Sequence, residues 1–447
     1  MKKTITTICL CLIALTFAFM FVFCIFFPRT TQSDYSTLYE WPEFSIEALK
    51  SGEYFKGITN YFSDTICLRD RFIDIETRIR SIYGIAPEEE VIDVPTTDES
   101  QADYTEAESS TDISGEEKSQ AETSDASTGE TSSETSSAEP EQNEAELSGT
   151  IIIIGNRTME VFSGNFNNGI VFADMLNEFA ATLDDDVNVY SMVVPKASAY
   201  YIKNAKQEAY SKTASANKDN IDNINEHLSN RITPINVYDT LEKHSGEPIY
   251  FLTDHHWTGL AAYYASEAFT KQLGLPFDDL THFEKNVREG YVGTMYKYSN
   301  YNPKVLASAE DFVTYIPTVD YTATYYNRED FTSPKKHEEG LFWEIPDDKK
   351  SSWYSTFIRG DRYCVKVESG VCHNGRKLLI VKDSYGNPLP QYLLQAFEEI
   401  YVVDAREYKL SLKETVEQYG ITDLLFVECT FSAVGGDYIG KLKEICK

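Results

Sequence analysis

Behind Lys2 and Lys3 the chain enters an almost uncharged apolar run, Thr4 to Phe27, that stops at Pro28-Arg29. A run of this length suits a bilayer core of ~30 Å at ~1.5 Å per helical residue. Lysines on its amino side favour keeping that end in the cytoplasm. No small-x-small cleavage site follows in Phe26-Phe27-Pro28-Arg29, so an uncleaved anchor is expected rather than a signal peptide. From Trp41 to Gly84 apolar residues recur at helical spacing, as in Ile46, Leu49, Tyr54, Phe55, Ile58, Tyr61 and Phe62, and this predicts a small membrane-proximal helical segment. The periodicity vanishes from Pro87 to Ser148. It returns abruptly at Ile151-Ile152-Ile153-Ile154, which reads as a buried strand.

Beyond that point short apolar runs alternate with amphipathic stretches. Strands are predicted at Val187–Val194, Ile235–Val237, Pro248–Leu252, Lys377–Lys382, Glu399–Val403 and Asp423–Val427. Helices are predicted at Ile170–Leu183, Asp219–Arg231, Thr258–Leu273, Leu389–Phe397 and Ser411–Tyr419. Continuously apolar strands separated by helices imply a three-layer α/β fold with a mainly parallel sheet. Ligands in such folds gather at the carboxyl ends of strands. Between Pro276 and Gly375 the alternation weakens into aromatic-rich, Thr/Asn/Asp/Pro-punctuated pieces, expected to form an irregular and β-structured insert. Its tyrosines offer flat apolar faces with polar tips, suited equally to holding sugar rings and to filling a small core.

Composition locates the charge. Of a net charge of −31, the stretch Pro87–Ser148 holds twenty acidic residues and one lysine, Lys118, leaving about −12 on the rest. That stretch is low-complexity Ser/Thr/Glu/Ala and cannot bury enough apolar surface to fold, so it is expected to be an extended, self-repelling tether. No basic stripe is visible, which argues against a nucleic-acid partner. Of eight cysteines, Cys9, Cys11 and Cys24 lie in the apolar run, and no CxxC or Cys/His metal spacing links Cys67, Cys364, Cys372, Cys429 and Cys446. Cys364 and Cys372 are expected either to face each other across a hairpin as a disulfide or to be isolated buried thiols.

Two stretches carry chemistry. Thr253-Asp254-His255-His256-Trp257-Thr258 lies between a predicted strand and a predicted helix, and Lys382-Asp383-Ser384-Tyr385-Gly386-Asn387 occupies the matching place at another strand end. A serine hydroxyl needs an imidazole to take its proton and a carboxylate to orient that imidazole. Ser384 is the candidate nucleophile, His256 the base and Asp254 its orienter, with His255 and Asp383 as spare candidates. Gly386 permits the turn, and backbone N–H groups from Ser384 to Gly386 would meet an oxyanion. The competing reading has Asp254 and His256 merely capping the following helix. Adjacent histidines on an extended backbone point apart, and His244 and His282 have no ligand spacing, so neither a metal nor another cofactor is expected.

Thr253–Thr258, followed by the aromatic Ala261-Ala262-Tyr263-Tyr264, resembles the motif that names the DHHW proteins. These are similar to the SGNH hydrolase-like domain of the alginate O-acetylation proteins AlgX and AlgJ. The likeness takes in Leu378–Tyr385, Glu399–Asp404, Tyr419–Asp423, Gly155–Glu160, Val194-Pro195, and Tyr61–Asp64 with Arg69-Asp70. It implies a catalytic triad of Ser384, His256 and Asp254. The Asp-x-His element precedes the serine, the reverse of the usual SGNH order, as in a circular permutation. Separate glycine and asparagine oxyanion donors have no counterpart. Asp383, Tyr385, Gly386, Asn387, His255, Trp257, Arg157 and Glu428 are candidate binding positions, with His255 and Trp257 assigned chiefly to packing.

The expected organisation is a cytoplasmic stub and transmembrane anchor at 1–30, a membrane-proximal helical segment at 31–86, the tether at 87–148, and an SGNH hydrolase-like domain at 149–447 with its insert at about 276–375. With the predicted anchor, the resemblance implies an extracellular, membrane-anchored serine O-acetyltransferase or esterase. Its partners would be a cell-surface polysaccharide and a membrane acyl-donor protein. The alternative is a non-catalytic glycan-binding or cell-envelope assembly protein that keeps the fold.

Overall fold

The computed structural model describes residues 143–148, 151–211, 213–332, 340–347 and 349–447, with scattered positions between 41 and 61. The Thr4–Phe27 run, most of Trp41–Gly84 and the tether before residue 143 lie outside the described residues. Among the described residues no helix is long and apolar enough to cross a membrane. β1 (Ala145–Ser148), β2 (Ile151–Ile154) and β3 (Arg157–Met159) form a small antiparallel sheet. β1 corrects the tether boundary: its last residues pair with the isoleucine strand, where Ala145 and Leu147 pack against the core. The isoleucines of β2 accordingly serve this side sheet and not the central one.

The chain continues with β4 (Asn188–Val194), β5 (Ile232–Pro234), the paired β6 (Phe283–Tyr291) and β7 (Glu310–Pro317), β8 (Tyr321–Tyr325), β9 (Val365–Ser369), β10 (Lys377–Lys382), β11 (Glu399–Asp404) and β12 (Asp423–Cys429). Seven strands join one sheet in the order β5-β4-β12-β10-β11-β9-β8. The first five are mutually parallel, and β9 and β8 close the edge antiparallel. Leu378, Leu379, Ile380 and Val381 of β10 are all fully buried, as a strand covered on both faces must be. The covers are helices α1 (Phe166–Ala180), α2 (Ala216–His227), α3 (Gly259–Leu273), α4 (Leu412–Tyr419) and α5 (Gly436–Ile445).

Register proves the layering. Tyr190 lies level with Leu425, so it and Phe426 project from opposite faces. Phe269 of α3 meets Tyr190 at 5.2 Å, and Phe179 of α1 meets Phe426 at 6.2 Å. The fold is therefore a mixed α/β sandwich of helix, mainly parallel sheet and helix.

Four predicted elements differ. The insert is not a separate subdomain, because β8 and β9 complete the main sheet and Tyr291, Tyr325, Trp353 and Tyr354 fill its core. The short strand expected at Ile235–Val237 is β5, a turn earlier. The helix expected at Leu389–Phe397 shrinks to a 3-10 turn at Pro390–Tyr392. Pro388 and Pro390 disfavour α geometry before them and remove helical N–H donors. Finally, Pro248–Leu252 is no strand: it makes one bridge, Tyr250 to Trp257, within a tight reversal. Cys364 and Cys372 are both free thiols. They flank β9 at opposite ends, and at ~3.3 Å per residue a strand of this length holds them too far apart for a disulfide.

Candidate active site

The polar ends of Pro248–Leu252 explain why it does not join the sheet. Arg157 donates to the carbonyls of Tyr250 and Phe251, both at 3.0 Å, and its guanidinium lies 3.9 Å above the Tyr201 ring. Thr158 holds the Leu252 carbonyl through both its amide and its hydroxyl. Glu310, from β7, accepts from the amides of Leu252 and Thr253 and from the Thr253 hydroxyl at 2.7–3.0 Å. Side chains thus take the place of neighbouring strands, and the segment turns sharply to present Asp254, His255 and His256. Burial pushes the Glu310 carboxyl up to about 7 against the pull of those donors. Thr258 then caps α3 through the Ala261 amide.

The nucleophile candidate stands at the end of β10. Asp383 extends the chain there and accepts from the amides of Tyr385 (2.9 Å) and Cys429 (2.9 Å) and from the Ser432 hydroxyl (2.7 Å). These bonds wind Ser384–Gly386 into a 3-10 turn. A Cβ on Gly386 would come within 2.5 Å of Lys382 Cβ, so glycine is required by contact.

Three clamps bring the two stretches together. His256 Nε2 lies 2.8 Å from Ser384 Oγ. Trp257 donates its indole N–H to the Tyr385 carbonyl at 3.0 Å, and the Tyr385 hydroxyl donates to the His255 carbonyl. On its other side, His256 Nδ1 lies 2.6 Å from Asp254 Oδ1. Asp254 Oδ2 accepts from the Thr294 amide (2.8 Å) and hydroxyl (3.0 Å). Burial opposes the Asp254 charge, but the neighbouring imidazoles and these donors hold its carboxyl well below the usual range. Asp254 and His256 are buried, while Ser384 is partly exposed. The order Ser–His–Asp, with acceptor-only carboxylate, can pass a proton from the hydroxyl to an oriented imidazole.

The remaining sequence-predicted positions divide. Trp257 and Tyr385 are structural clamps of the pair of loops. Asn387 donates to Asp361 at 3.0 Å. Arg157 supports the Asp254 loop from behind. Asp383 orders the nucleophile turn and, among the described residues, hydrogen-bonds no histidine. Glu428 is buried beside Asp383, with Tyr438 donating to it at 3.4 Å. Burial and that carboxylate raise its carboxyl well above the usual range, and it is a core residue. The expected backbone oxyanion donors need correction: the Tyr385 and Gly386 amides are already given to the Asp383 side chain and carbonyl.

The adjacent histidines do not point apart. The reversal at this segment brings their rings to 3.7 Å at 38°. Asp254, His255 and His256 offer metal-ligand atoms within 4.8 Å of one another. The His256 and Asp254 atoms already share a proton, and His255 Nδ1 lies 2.8 Å from the Thr294 hydroxyl.

Thr294, Glu310 and Tyr354 were not legible as site residues. Tyr354 stacks on the His256 ring and donates to the Ser384 carbonyl at 3.2 Å. Behind the turn, Lys382 pairs with Asp361 (2.7 Å) and Asp404 (2.9 Å), and Arg406 joins both carboxylates. Lys196, buried against Glu160 at 2.6 Å, reaches the His255 carbonyl at 3.3 Å.

Known proteins share this arrangement of elements. A DHHW family protein from Eubacterium siraeum is 38% identical over 68% of this chain and 98% of its own, with a TM-score of 0.61. Bacillus cereus PatB1, solved with a sulfonyl adduct, is 15% identical over 65% of this chain and 96% of its own, with a TM-score of 0.53, a likeness of fold. The O-acetyltransferase domain of Pseudomonas putida AlgJ aligns over 67% of this chain and 98% of its own at 11% identity, with a TM-score of 0.35, too distant to argue from. No curated protein matches the chain. The DHHW protein family profile matches residues 34–403, and the chain belongs to that family.

Proposed function

We propose that this chain is a membrane-anchored, extracytoplasmic serine acyltransferase or esterase of the SGNH hydrolase kind, moving an acetyl group on a cell-surface polysaccharide. One observation carries the reading: Ser384 Oγ, His256 Nε2, His256 Nδ1 and Asp254 Oδ1 form a continuous relay at 2.8 and 2.6 Å. Those are the separations a working base needs. Asp254 fixes the proton on Nδ1, leaving the Nε2 lone pair facing the serine.

In the reaction Ser384 Oγ bonds to the acyl carbon as its proton moves to His256 Nε2. The bond from that carbon to the donor's leaving oxygen then breaks, and His256 returns the proton to it. A sugar hydroxyl, or water in the esterase direction, next loses its proton to His256 and attacks the acyl-serine, and Ser384 departs with that proton. Among the described residues the Ser384 amide donates to nothing, which leaves it as the donor of this turn for the oxyanion. The Thr4–Phe27 run supports the anchor, with its amino end in the cytoplasm and the catalytic domain outside the cell. A membrane partner would supply the acyl donor.

The test uses the purified full-length chain with p-nitrophenyl acetate and with an aryl sulfonyl fluoride. Acetyl and sulfonyl adducts on Ser384, both absent from Ser384→Ala, are expected by mass spectrometry. Equal turnover by wild type and variant, with no adduct, overturns the reading. The engaged amides of Tyr385 and Gly386 favour a second reading, a non-catalytic glycan-binding or envelope-assembly protein. It requires that no adduct forms and that polysaccharide binding survives Ser384→Ala.

A further inference from the structure

We propose that His255 and Thr294 form a second arm on Asp254, positioning residues that brace the carboxylate beside its bond to His256 and thereby tune the base. The proposal rests on the serine chemistry above. It follows from counting donors. An ionised carboxylate only accepts. Asp254 Oδ1 takes the His256 amide (3.1 Å) and Nδ1 (2.6 Å), and Oδ2 takes the Thr294 amide (2.8 Å) and hydroxyl (3.0 Å). The single hydrogen of the Thr294 hydroxyl is therefore spent on Oδ2. Toward His255 Nδ1, 2.8 Å away, that oxygen accepts, so the His255 proton sits on Nδ1. Two imidazoles thus hang from one carboxylate: His256 directly and His255 through a hydroxyl.

Neighbouring contacts keep this arm in place. The Gly293 amide donates to the Thr253 hydroxyl at 3.0 Å, and the Met295 amide to the Thr253 carbonyl at 3.0 Å, which stitches the Thr294 loop to the Asp254 loop. The His255 carbonyl is gripped by Lys196 and by the Tyr385 hydroxyl. Among the charged and titratable groups facing His255 are His256, Asp254, Lys196 and Asp361. Burial first, then His256, pushes its imidazole well below the usual value. With the two rings 3.7 Å apart, a neutral His255 leaves His256 free to carry the proton taken from Ser384.

Removing the Thr294 hydroxyl takes a donor from Asp254 and leaves its charge more available to the His256 imidazolium. The proton affinity of His256 then rises. In the full-length chain, Thr294→Val should move the acidic limb of kcat/KM for p-nitrophenyl acetate upward by about half to one pH unit. The plateau should fall roughly tenfold, the scale at which a misplaced group is felt. His255→Ala should shift the limb in the same direction, by less. Thr294→Ser restores a hydroxyl, and His255→Asn restores an N–H at the Nδ1 position, so both should recover most of the rate. Histidine ¹⁵N NMR gives a readout independent of turnover: His255 should be the Nδ1–H tautomer, and His256 should titrate higher in Thr294→Val. An Nε2–H tautomer at His255, an unmoved His256 titration in a folded Thr294→Val, or His255→Asn no better than His255→Ala overturns the arm. If Ser384→Ala matches wild type, the serine reading falls instead, and the NMR titration alone decides the arm.

Discussion

The imidazole of His256 lies flat on the phenol ring of Tyr354, with centroids 3.7 Å apart and planes within 5°. The same Tyr354 donates its hydroxyl to the Ser384 carbonyl, so one side chain touches both the serine and the imidazole that faces it. Replacement separates the two roles. Tyr354→Phe keeps the stacked face and should lower the Ser384 acylation rate several-fold with little change in stability. Tyr354→Ala also removes a buried aromatic pair, worth about 0.5–1.5 kcal/mol beyond its buried area. It should lower Tm and the rate by much more. Melting curves alongside acylation kinetics check both, and equal rates for Phe and Ala variants would exclude any role for the stack.

Trp257 fixes the distance between the loops. It is wholly buried, and its indole N–H reaches the Tyr385 carbonyl across the seam that His256 and Ser384 also bridge. Trp257→Phe retains most of the ring but leaves that carbonyl unpaired, a cost of about 1–3 kcal/mol. The expected result is a lower denaturation midpoint with unchanged m-value, together with slower sulfonylation of Ser384. A variant as stable and as reactive as wild type would show that the clamp is dispensable.

Motif residues were readable where chemistry and chain position coincide. Ser384 follows a strand of unbroken apolar residues, and Asp254-x-His256 sits before a helix whose cap, Thr258, and left-handed stop, Gly274, are written in the sequence. The supporting residues carry no such mark. Thr294, Glu310 and Tyr354 all come from the aromatic-rich stretch, where neither period 2 nor period 3.6 dominates. They reach the site from three separate places: the loop after β6, the first residue of β7, and a 3-10 turn between β8 and β9. Pro248–Leu252 misled for a related reason. Its apolar composition fits a strand, but Arg157, Thr158 and Glu310, and not a strand of the main sheet, take up its carbonyls and amides at the Leu252 end.

Gly293 is a position whose importance lies in contact. A Cβ built there would stand 2.4 Å from both Cβ and Oδ2 of Asp254. Those atoms belong to a buried, fully hydrogen-bonded carboxylate and have no room to yield. Gly293→Ala should therefore drive the Thr294 loop away from Asp254 and lower Tm by several degrees, with a destabilisation of roughly 1–3 kcal/mol. It should also abolish Ser384 acylation. Gly246→Ala, where an added Cβ meets nothing within 4 Å, is the matched control and should leave both measurements near wild type.

Glu310 makes stability depend on pH in a direction opposite to most carboxylates. Its carboxyl titrates at about 7 in the fold, against an ordinary value of 4.5, because burial outweighs the Leu252 and Thr253 donors and the nearby Arg157. Between those two values the folded chain holds a proton that the unfolded chain has lost. Stability must then fall as pH rises through that window, by at most ~1.4 kcal/mol per pH unit from this one group. Below the window the contribution is intact, and above about 7 it has been lost. Glu310→Gln cannot ionise, and its amide oxygen can still accept from the Thr253 amide. Subtracting the variant's pH–stability curve from that of wild type cancels every other titrating group. The difference should slope downward between pH 4.5 and 7 and level off at higher pH. A flat difference curve would mean that Glu310 stays ionised throughout, its three N–H and O–H donors outweighing its burial.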